Sequence, residues 1–147
     1  MRNEIDLALD QATIQTMADM AFLDVMPSTQ DSIEYTNIFA IDFLAPYNGS
    51  MFFLLSVASK RQLVENIFGD DWDSLEDQKI DDCLLEILNI LAGNFMSVLL
   101  KHSQKYKMSV PSILFEEREL LKDCFTRTYD CEGQNIQVAV KLKEVEP

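Results

Sequence analysis

The sequence predicts an α+β fold in which a largely antiparallel β-sheet packs against long α-helices. Two helical patterns of apolar residues support this class, one at the start of the chain and a longer one in its middle. β-rich runs separated by turn residues lie before and after the second pattern. The 147 residues are 48% apolar and include only four Gly and four Pro, so we expect a single domain over residues 1–147.

The first half of the chain predicts a helix, a hairpin and a second helix. Apolar residues recur at three- and four-residue steps over residues 5–22, which indicates an amphipathic helix that ends before Pro27. Two β-rich runs follow and are joined across residues 46–49, where an Asn-Gly pair is typical of a hairpin turn. The run KRQLVENIFG then predicts a short helix that ends at Gly69.

The second half predicts a long helix followed by strands. Asp73 or Ser74 in the acidic run DDWDSLED can cap this helix, and the neighbouring carboxylates favour its positive N-terminal end. The helix should continue to about residue 102, where basic side chains suit its negative end. Three β-rich runs complete the chain, at residues 107–117, 123–131 and 135–145. Gly133 lies between the last two runs and predicts the turn of a final hairpin.

The charge of the chain argues against several classes of partner. Twenty-five acidic residues against twelve basic ones leave a formal net charge of -13. Nucleic-acid backbones and anionic membrane surfaces would be repelled over most of the surface, so neither is an expected partner. A small phosphorylated substrate is also disfavoured, unless a metal ion or a basic partner brings compensating charge.

Cysteine use and hydropathy indicate a cytoplasmic protein. Cys83, Cys124 and Cys131 are odd in number and form no C-x-x-C pair, which favours a reducing compartment. The N-terminal run MRNEIDLALDQ carries three acidic residues and lacks the apolar core of a signal peptide. The longest apolar stretches are much shorter than the ~20 residues that a membrane span needs, so no membrane association is expected.

A narrow polar stripe runs along the long central helix. Asp82, Glu86, Asn89 and Gly93 follow one another at steps of four, three and four residues, which places them on one helix face among apolar residues. An unpaired carboxylate is costly to bury, so the stripe is expected to be exposed. It fits an ordinary solvated face. It also fits a contact site, because Asn and Gly both weaken a helix and their shared face indicates close approach by another surface.

The residue types on this stripe favour the positioning of a water molecule over covalent catalysis. No nucleophile stands beside Glu86 and Asn89, and the single histidine, His102, lies about four turns away, where it suits a helix end. A carboxamide can accept one hydrogen bond and donate another, and phosphoryl transfer is a reaction in which positioning supplies much of the rate. A carboxylate three residues earlier could anchor a basic group of a partner.

The acidic run at residues 70–77 offers a second possible chemistry, a metal site. Its carboxylates are hard oxygen ligands, but the spacing and the central Gly of a calcium loop are absent. The run is therefore interpreted as a capped, solvated helix start.

At the polar stripe the sequence resembles the CheC/CheX family of bacterial chemotaxis phosphatases. The family pattern is Asp or Ser, three residues, Glu, two residues, Asn, and then Pro about twenty residues later. The pattern is met by Asp82, Glu86, Asn89 and Pro111. A single copy of the motif makes the chain more similar to the CheX type, and the resemblance extends in element order over roughly residues 34–143.

The resemblance implies a phosphatase that hydrolyses the phosphoaspartate of a phosphorylated CheY-like response regulator. Asn89 would enter the phosphorylation pocket and align the attacking water, and Glu86 would pair with the active-site lysine of the regulator. Asp82 would support the partner-binding surface, Gly93 would permit close packing of the partner, and Pro111 would be structural. No intrinsic cofactor is implied, because the regulator brings the Mg2+ ion. A homodimer is implied for the CheX type.

The main alternative is a noncatalytic interaction module. The same stripe could bind a response regulator or a flagellar switch component without hydrolysis. Loss of the Glu or the Asn would favour that function, and the presence of both Glu86 and Asn89 favours the phosphatase.

Overall fold

The structure, a computed structural model, describes residues 2–30, 32–35, 37–69, 71–115 and 118–144. Three α-helices occur in these ranges: α1 (Arg2–Ala21), α2 (Val57–Phe68) and α3 (Asp77–Leu99). The strands are β1 (Val25–Pro27), β2 (Asn37–Ala45), β3 (Tyr47–Leu55), β4 (Lys107–Met108), β5 (Ser112–Leu114), β6 (Phe125–Cys131) and β7 (Gln134–Glu144). Short 3-10 helices lie at Trp72–Ser74 and Arg118–Leu121.

The seven strands form one antiparallel sheet, which confirms the predicted α+β class. The strand order is β1-β6-β7-β3-β2-β4, and β5 pairs with β2 as well. Every strand pairing within the described ranges is antiparallel. The final hairpin turns at Glu132 and Gly133, as the sequence predicts.

The helices cover one face of the sheet and build the main core there. α1 packs against α3, and α3 packs on β2 through Phe43 and Phe95, whose ring centroids lie 5.8 Å apart. The opposite face of the sheet carries a smaller apolar cluster, whose core members are Ile38, Ala40, Phe52, Leu54 and Ala139. β2 and β3 are therefore buried on both faces over much of their length, which explains their continuous apolar runs.

The apolar side chains of α3 are used in the core. By length and composition alone this helix could also span a membrane. Nine of its residues are buried in the domain, namely Ile80, Leu84, Ile87, Leu88, Leu91, Ala92, Phe95, Met96 and Leu99. A helix with so many buried positions is expected to be apolar over most of its surface, which leaves only a thin polar stripe.

α2 begins and ends at caps that the sequence encodes. Ser56 and Ser59 form a capping box, in which each hydroxyl accepts a hydrogen bond from the backbone N–H of the other residue. Gly69 ends the helix with φ 70°, and its N–H donates to the Glu65 carbonyl. The predicted end at Gly69 is confirmed, whereas the helix begins at Val57, three residues before the predicted run.

The predicted cap of α3 at Asp73 or Ser74 is wrong. Both residues belong to a separate 3-10 helix, in which the Ser74 hydroxyl donates to a backbone carbonyl at 2.7 Å. α3 begins at Asp77, after Glu76, whose side chain makes no capping hydrogen bond. Trp72 and Leu75, the two apolar side chains of the acidic run, pack against the core. This packing holds the 3-10 helix apart from α3. The far end of α3, at Leu99, lies close to its predicted position.

The predicted turn at the Asn-Gly pair is also wrong. The chain reverses at Pro46, and Gly49 lies inside β3, where it pairs with Phe43 of β2 and Leu142 of β7. A Cβ atom on Gly49 would stand 1.8 Å from the Lys141 carbonyl oxygen. Gly49 is therefore required by the close approach of β7 and not by a turn.

Gly49→Ala is expected to lower the free energy of unfolding by about 1–3 kcal/mol, because the new Cβ atom forces β3 and β7 apart. Urea unfolding followed by circular dichroism measures this loss. Gly93→Ala is the matched control, since its Cβ would stand 3.3 Å from the Tyr106 hydroxyl, the movable end of a side chain. Ala also favours the helix at that position by up to ~1 kcal/mol. Equal losses of unfolding free energy in Gly49→Ala and Gly93→Ala would show that the close approach of β7 is not the cause.

Burial of the Cys131 thiol makes the fold sensitive to alkaline pH. Cys131 is fully buried on β6, and this burial, with repulsion from Asp130 and Glu132, raises the pKa of the thiol to about 12. A cysteine in an unfolded chain ionises at about pH 8.5, so above that pH the unfolded state loses a proton that the folded state keeps. The thiol's contribution to stability is therefore complete below about pH 8.5 and is lost as the pH rises towards the folded pKa.

We expect ionisation of the Cys131 thiol in the unfolded state to lower the free energy of unfolding by about 1–2 kcal/mol between pH 8 and pH 10. Urea titrations at a series of pH values check the prediction. Cys131→Ala should be less stable at neutral pH, because it leaves a cavity, but should show a shallower alkaline decline. Cys83→Ala, which removes a half-buried thiol, should have a smaller effect on the fall of the unfolding free energy with pH. If the unfolding free energies of the wild type and Cys131→Ala fall equally with rising pH, the Cys131 thiol is not the cause of the alkaline sensitivity.

Candidate functional site

An open groove of about 490 Å3 lies between α3 and the segment that joins β4 to β5. From α3 the groove is lined by Asp82, Leu85, Glu86 and Asn89, and from the facing segment by Met108, Ser109, Val110 and Pro111. All four residues of the sequence motif therefore meet in one groove, although the last of them is far from the others in the chain. We call this site the motif groove.

α3 presents the polar stripe outward because its other sides pack into the core. Leu84 and Leu88 are fully buried beneath the stripe. Asp82 and Glu86 are exposed and Asn89 is half-buried. From Asp82 to Asn89 the stripe is therefore open to a docking surface, as the pattern of apolar and polar residues predicts.

Glu86 and Asn89 are free to bind a partner. No hydrogen bond or ion pair joins either side chain to another residue in the described part of the chain. Asp82 accepts a hydrogen bond from Gln78 Nε2 at 2.8 Å, one turn earlier on the helix. A free carboxylate can bind an incoming cation, and a free carboxamide can accept one hydrogen bond while donating another.

The facing wall of the motif groove interrupts the strand that the sequence predicts over residues 107–117. β4 ends at Met108, β5 begins at Ser112, and residues 109–111 between them are not in a strand. Pro111 directly precedes β5, where its missing N–H needs no partner, and it also lines the groove. Residues 116 and 117 of the predicted strand lie outside the described residues.

Gly93 lies one turn beyond the motif groove and does not line it. The surface that approaches it belongs to the same chain, because a Cβ atom here would stand 3.3 Å from Tyr106 Oη and 3.9 Å from Met108 Cε. The close approach predicted for this glycine is thus present within the domain. Its expected role in partner binding stays a prediction.

The remaining sequence candidates lie away from the motif groove. His102 is exposed beyond the C-terminal end of α3, whereas the groove lies along the N-terminal half of the helix. In the acidic run, Asp71, Asp73 and Glu76 are exposed, and Asp70 lies outside the described residues. Among the residues that the structure describes, no group of three or more His, Cys, Asp or Glu side chains is placed to hold a metal ion.

Sequence reasoning did not identify four residues of the groove: Leu85, Met108, Ser109 and Val110. Leu85 follows the helical pattern of a flanking core residue. The other three fall in a run that reads as continuous strand. The Val-Pro pair in this run could have indicated the interruption, since proline and the residue before it are both disfavoured in an inner strand.

One protein family and several solved structures are similar to this chain. A family model described as chemotaxis phosphatase CheX matches residues 38–128, which is more than half of the chain and includes all four motif residues. Curated protein sequences gave no match.

Several solved structures are similar along nearly the whole chain. CheX from Vibrio vulnificus has a TM-score of 0.77 and 16% identity, covering 95% of this chain and 99% of that one. CheX from Desulfovibrio desulfuricans has a TM-score of 0.77 and 15% identity, with coverage of 95% and 99%. A chain of the CheX-CheY-BeF3-Mg2+ complex from Borrelia burgdorferi has a TM-score of 0.69 and 16% identity, with coverage of 93% and 96%. These likenesses show the fold, and the family match shows that the chain belongs to the CheX family of chemotaxis phosphatases.

Proposed function

We propose that this protein hydrolyses the phosphoaspartate of a CheY-like response regulator. The observation that carries the proposal is the motif groove, in which the carboxylate of Glu86 and the carboxamide of Asn89 face outward without partners among the described residues. The complex of Borrelia burgdorferi CheX with CheY, BeF3 and Mg2+ supports a response regulator as the partner class.

In the proposed reaction the oxygen of a water attacks the phosphorus of the phosphoaspartate, and the bond between phosphorus and the aspartate oxygen breaks. The products are inorganic phosphate, which takes the water's proton, and a free carboxylate on the regulator. Asn89 accepts a hydrogen bond from the water through Oδ1 and donates through Nδ2 to an acceptor of the regulator's pocket. Holding the water in line with the bond that breaks supplies the rate enhancement.

Glu86 is proposed to pair with the active-site lysine of the regulator. It lies three residues before Asn89 on α3, so the two side chains are neighbours whose Cβ atoms are about 5–6 Å apart. This spacing allows the carboxamide to reach the phosphoryl group while the carboxylate holds a cation beside it. Asp82 would extend the acidic contact one turn earlier, and Gly93 would permit close packing one turn beyond the groove.

The charge of the chain fits a partner that brings its own cations. With a net charge of -13 and two exposed carboxylates in the motif groove, the protein is poorly suited to bind a free phosphate monoester. The Mg2+ ion expected on the regulator neutralises charge on the phosphoryl oxygens, and the regulator's lysine faces Glu86. The groove therefore recognises the phosphorylated pocket of a protein.

Phosphate release from an acetyl-phosphate-labelled regulator tests the proposal. A substoichiometric amount of this protein should accelerate release over many turnovers, with the rate saturating as the regulator concentration rises. Acceleration in the absence of binding, or no acceleration by a protein that binds the regulator, would each reject the proposed mechanism. The second outcome would favour the noncatalytic interaction module.

We also propose that the protein acts in the cytoplasm, which its cysteine use favours, and that it forms a homodimer, as the family resemblance implies. Light scattering of the purified chain should give a molar mass twice that of the monomer. A mass equal to that of the monomer across the micromolar range would reject the dimer without affecting the proposed chemistry of the motif groove.

A further inference from the structure

The segment at residues 109–111 is held away from the sheet at a defined point. β4 pairs with β2 through Met108 opposite Phe43, and the pairing resumes in β5 with Ser112 opposite Ala40. The register between β2 and β4 shifts just before this segment, between Phe43 and Ala45, and residues 109–111 face only two residues of β2, at positions 41 and 42. The chain therefore bulges outward between two anchored strands and forms one wall of the motif groove.

A cluster of hydrogen bonds fixes the base of this bulge. The Ser109 N–H donates to the Asp42 carbonyl at 2.9 Å, and the Asp42 N–H donates to Ser109 Oγ at 2.9 Å. The Ser109 hydroxyl thus takes the place of a backbone acceptor that the bulge removes. Ser50 Oγ, on β3, donates to the Asp42 carboxylate at 2.7 Å. We call these three residues the serine clamp.

The serine clamp supports an exposed apolar side chain. Val110 directly follows Ser109 and is 86% exposed, the largest exposure among the large hydrophobic residues of the described chain. Pro111 restricts the backbone on its other side, because proline fixes its own φ angle and limits the residue before it. Val110 is thus presented in a narrow range of positions at the rim of the motif groove.

We propose that Val110 is an apolar contact residue for the regulator that docks on the motif groove, and that Asp42 and Ser109 are positioning residues that hold it there. This inference rests on the proposed function. Val110 lines the same groove as Glu86 and Asn89, so a protein that brings a lysine to Glu86 and a phosphoryl group to Asn89 must also cover Val110. The regulator should therefore carry an apolar surface beside its phosphorylation pocket. Covering Val110 would also exclude bulk water from the site.

Binding of a BeF3-charged regulator, measured by titration calorimetry, tests the contact. Val110→Ala should weaken binding by about tenfold, which corresponds to two buried methyl groups lost from the interface. Phe115→Ala is the matched control, since Phe115 directly follows β5, is 75% exposed and does not line the motif groove. It should bind as tightly as the wild type. Equal affinities for Val110→Ala and Phe115→Ala would overturn the contact.

A double-mutant cycle tests the positioning role. Ser109→Ala removes the acceptor for the Asp42 N–H and should weaken binding by about threefold to tenfold, whereas Ser112→Ala, a neighbouring exposed serine on β5, should leave it unchanged. In the Val110→Ala background, Ser109→Ala should lower the affinity for the regulator by less than about twofold, because the valine side chain that Ser109 positions is already gone. Additive losses, or a lower melting temperature with normal affinity, would show a merely structural role for Ser109.

The outcomes separate this inference from the proposed function. If Asn89→Ala abolishes the accelerated phosphate release while Val110→Ala binds normally, the contact is rejected and the proposed phosphatase is retained. If the wild type binds no phosphorylated regulator, both are rejected.

Discussion

Asn89→Ala is expected to lower the rate of stimulated dephosphorylation by about 10²–10³-fold, the loss found when one positioned hydrogen-bonding group is removed from an active site. The side chain lines the motif groove and has no partner among the described residues, so its removal should not disturb the fold. Ala is also the better helix former, and stability should be equal or slightly higher. Single-turnover phosphate release at saturating protein measures the effect separately from binding.

Asn94 provides the matched control on the same helix. Its Nδ2 donates to Thr16 Oγ1 at 2.9 Å, which joins α3 to α1 away from the motif groove. Asn94→Ala should lower the free energy of unfolding by about 1 kcal/mol and leave the rate of the folded protein unchanged. Unchanged turnover in Asn89→Ala, together with a normal melting temperature, would show that Asn89 does not act in catalysis.

Glu86→Lys should weaken binding of a BeF3-charged regulator by at least about 100-fold, because it replaces an attraction to the regulator's lysine with a repulsion. Glu86→Gln, which keeps the shape and removes the charge, should give an intermediate loss. The Glu86 carboxylate is exposed in the free protein, so neither change should cost much stability. Titration calorimetry at physiological salt measures the affinities.

Asp19→Lys separates the local effect from the overall charge. This substitution makes the same change in net charge at an exposed position on α1, outside the motif groove. It should alter the affinity only slightly, and that small effect should disappear at higher salt, where distant charges are screened. Equal losses for Glu86→Lys and Asp19→Lys would mean that the regulator responds to net charge and not to a specific pair.

The helices and the outward polar stripe follow from local sequence, because each is encoded by residues within a few turns of one another. The spacing of Asp82, Glu86 and Asn89 specifies one helix face wherever the helix packs. The caps at Ser56 and Gly69 also depend on neighbouring backbone groups. The sequence indicates these features because no distant residue is needed to form them.

The features that the sequence did not predict depend on distant contacts. Gly49 reads as a turn residue from its neighbours, and only the approach of β7 at Lys141 explains why it lies within a strand. The bulge before β5 is fixed by Asp42 and Ser109, which are 67 residues apart in sequence. The second wall of the motif groove, including Val110, therefore requires the folded sheet.

The most direct measurement is a crystal structure of this protein bound to a BeF3-charged response regulator with its Mg2+ ion. The Asn89 carboxamide should lie within about 3.5 Å of the BeF3 group or of a water in line with it. The Glu86 carboxylate should lie within about 4 Å of a lysine ammonium of the regulator. A complex in which the regulator binds elsewhere and leaves the motif groove open to solvent would contradict the central claim.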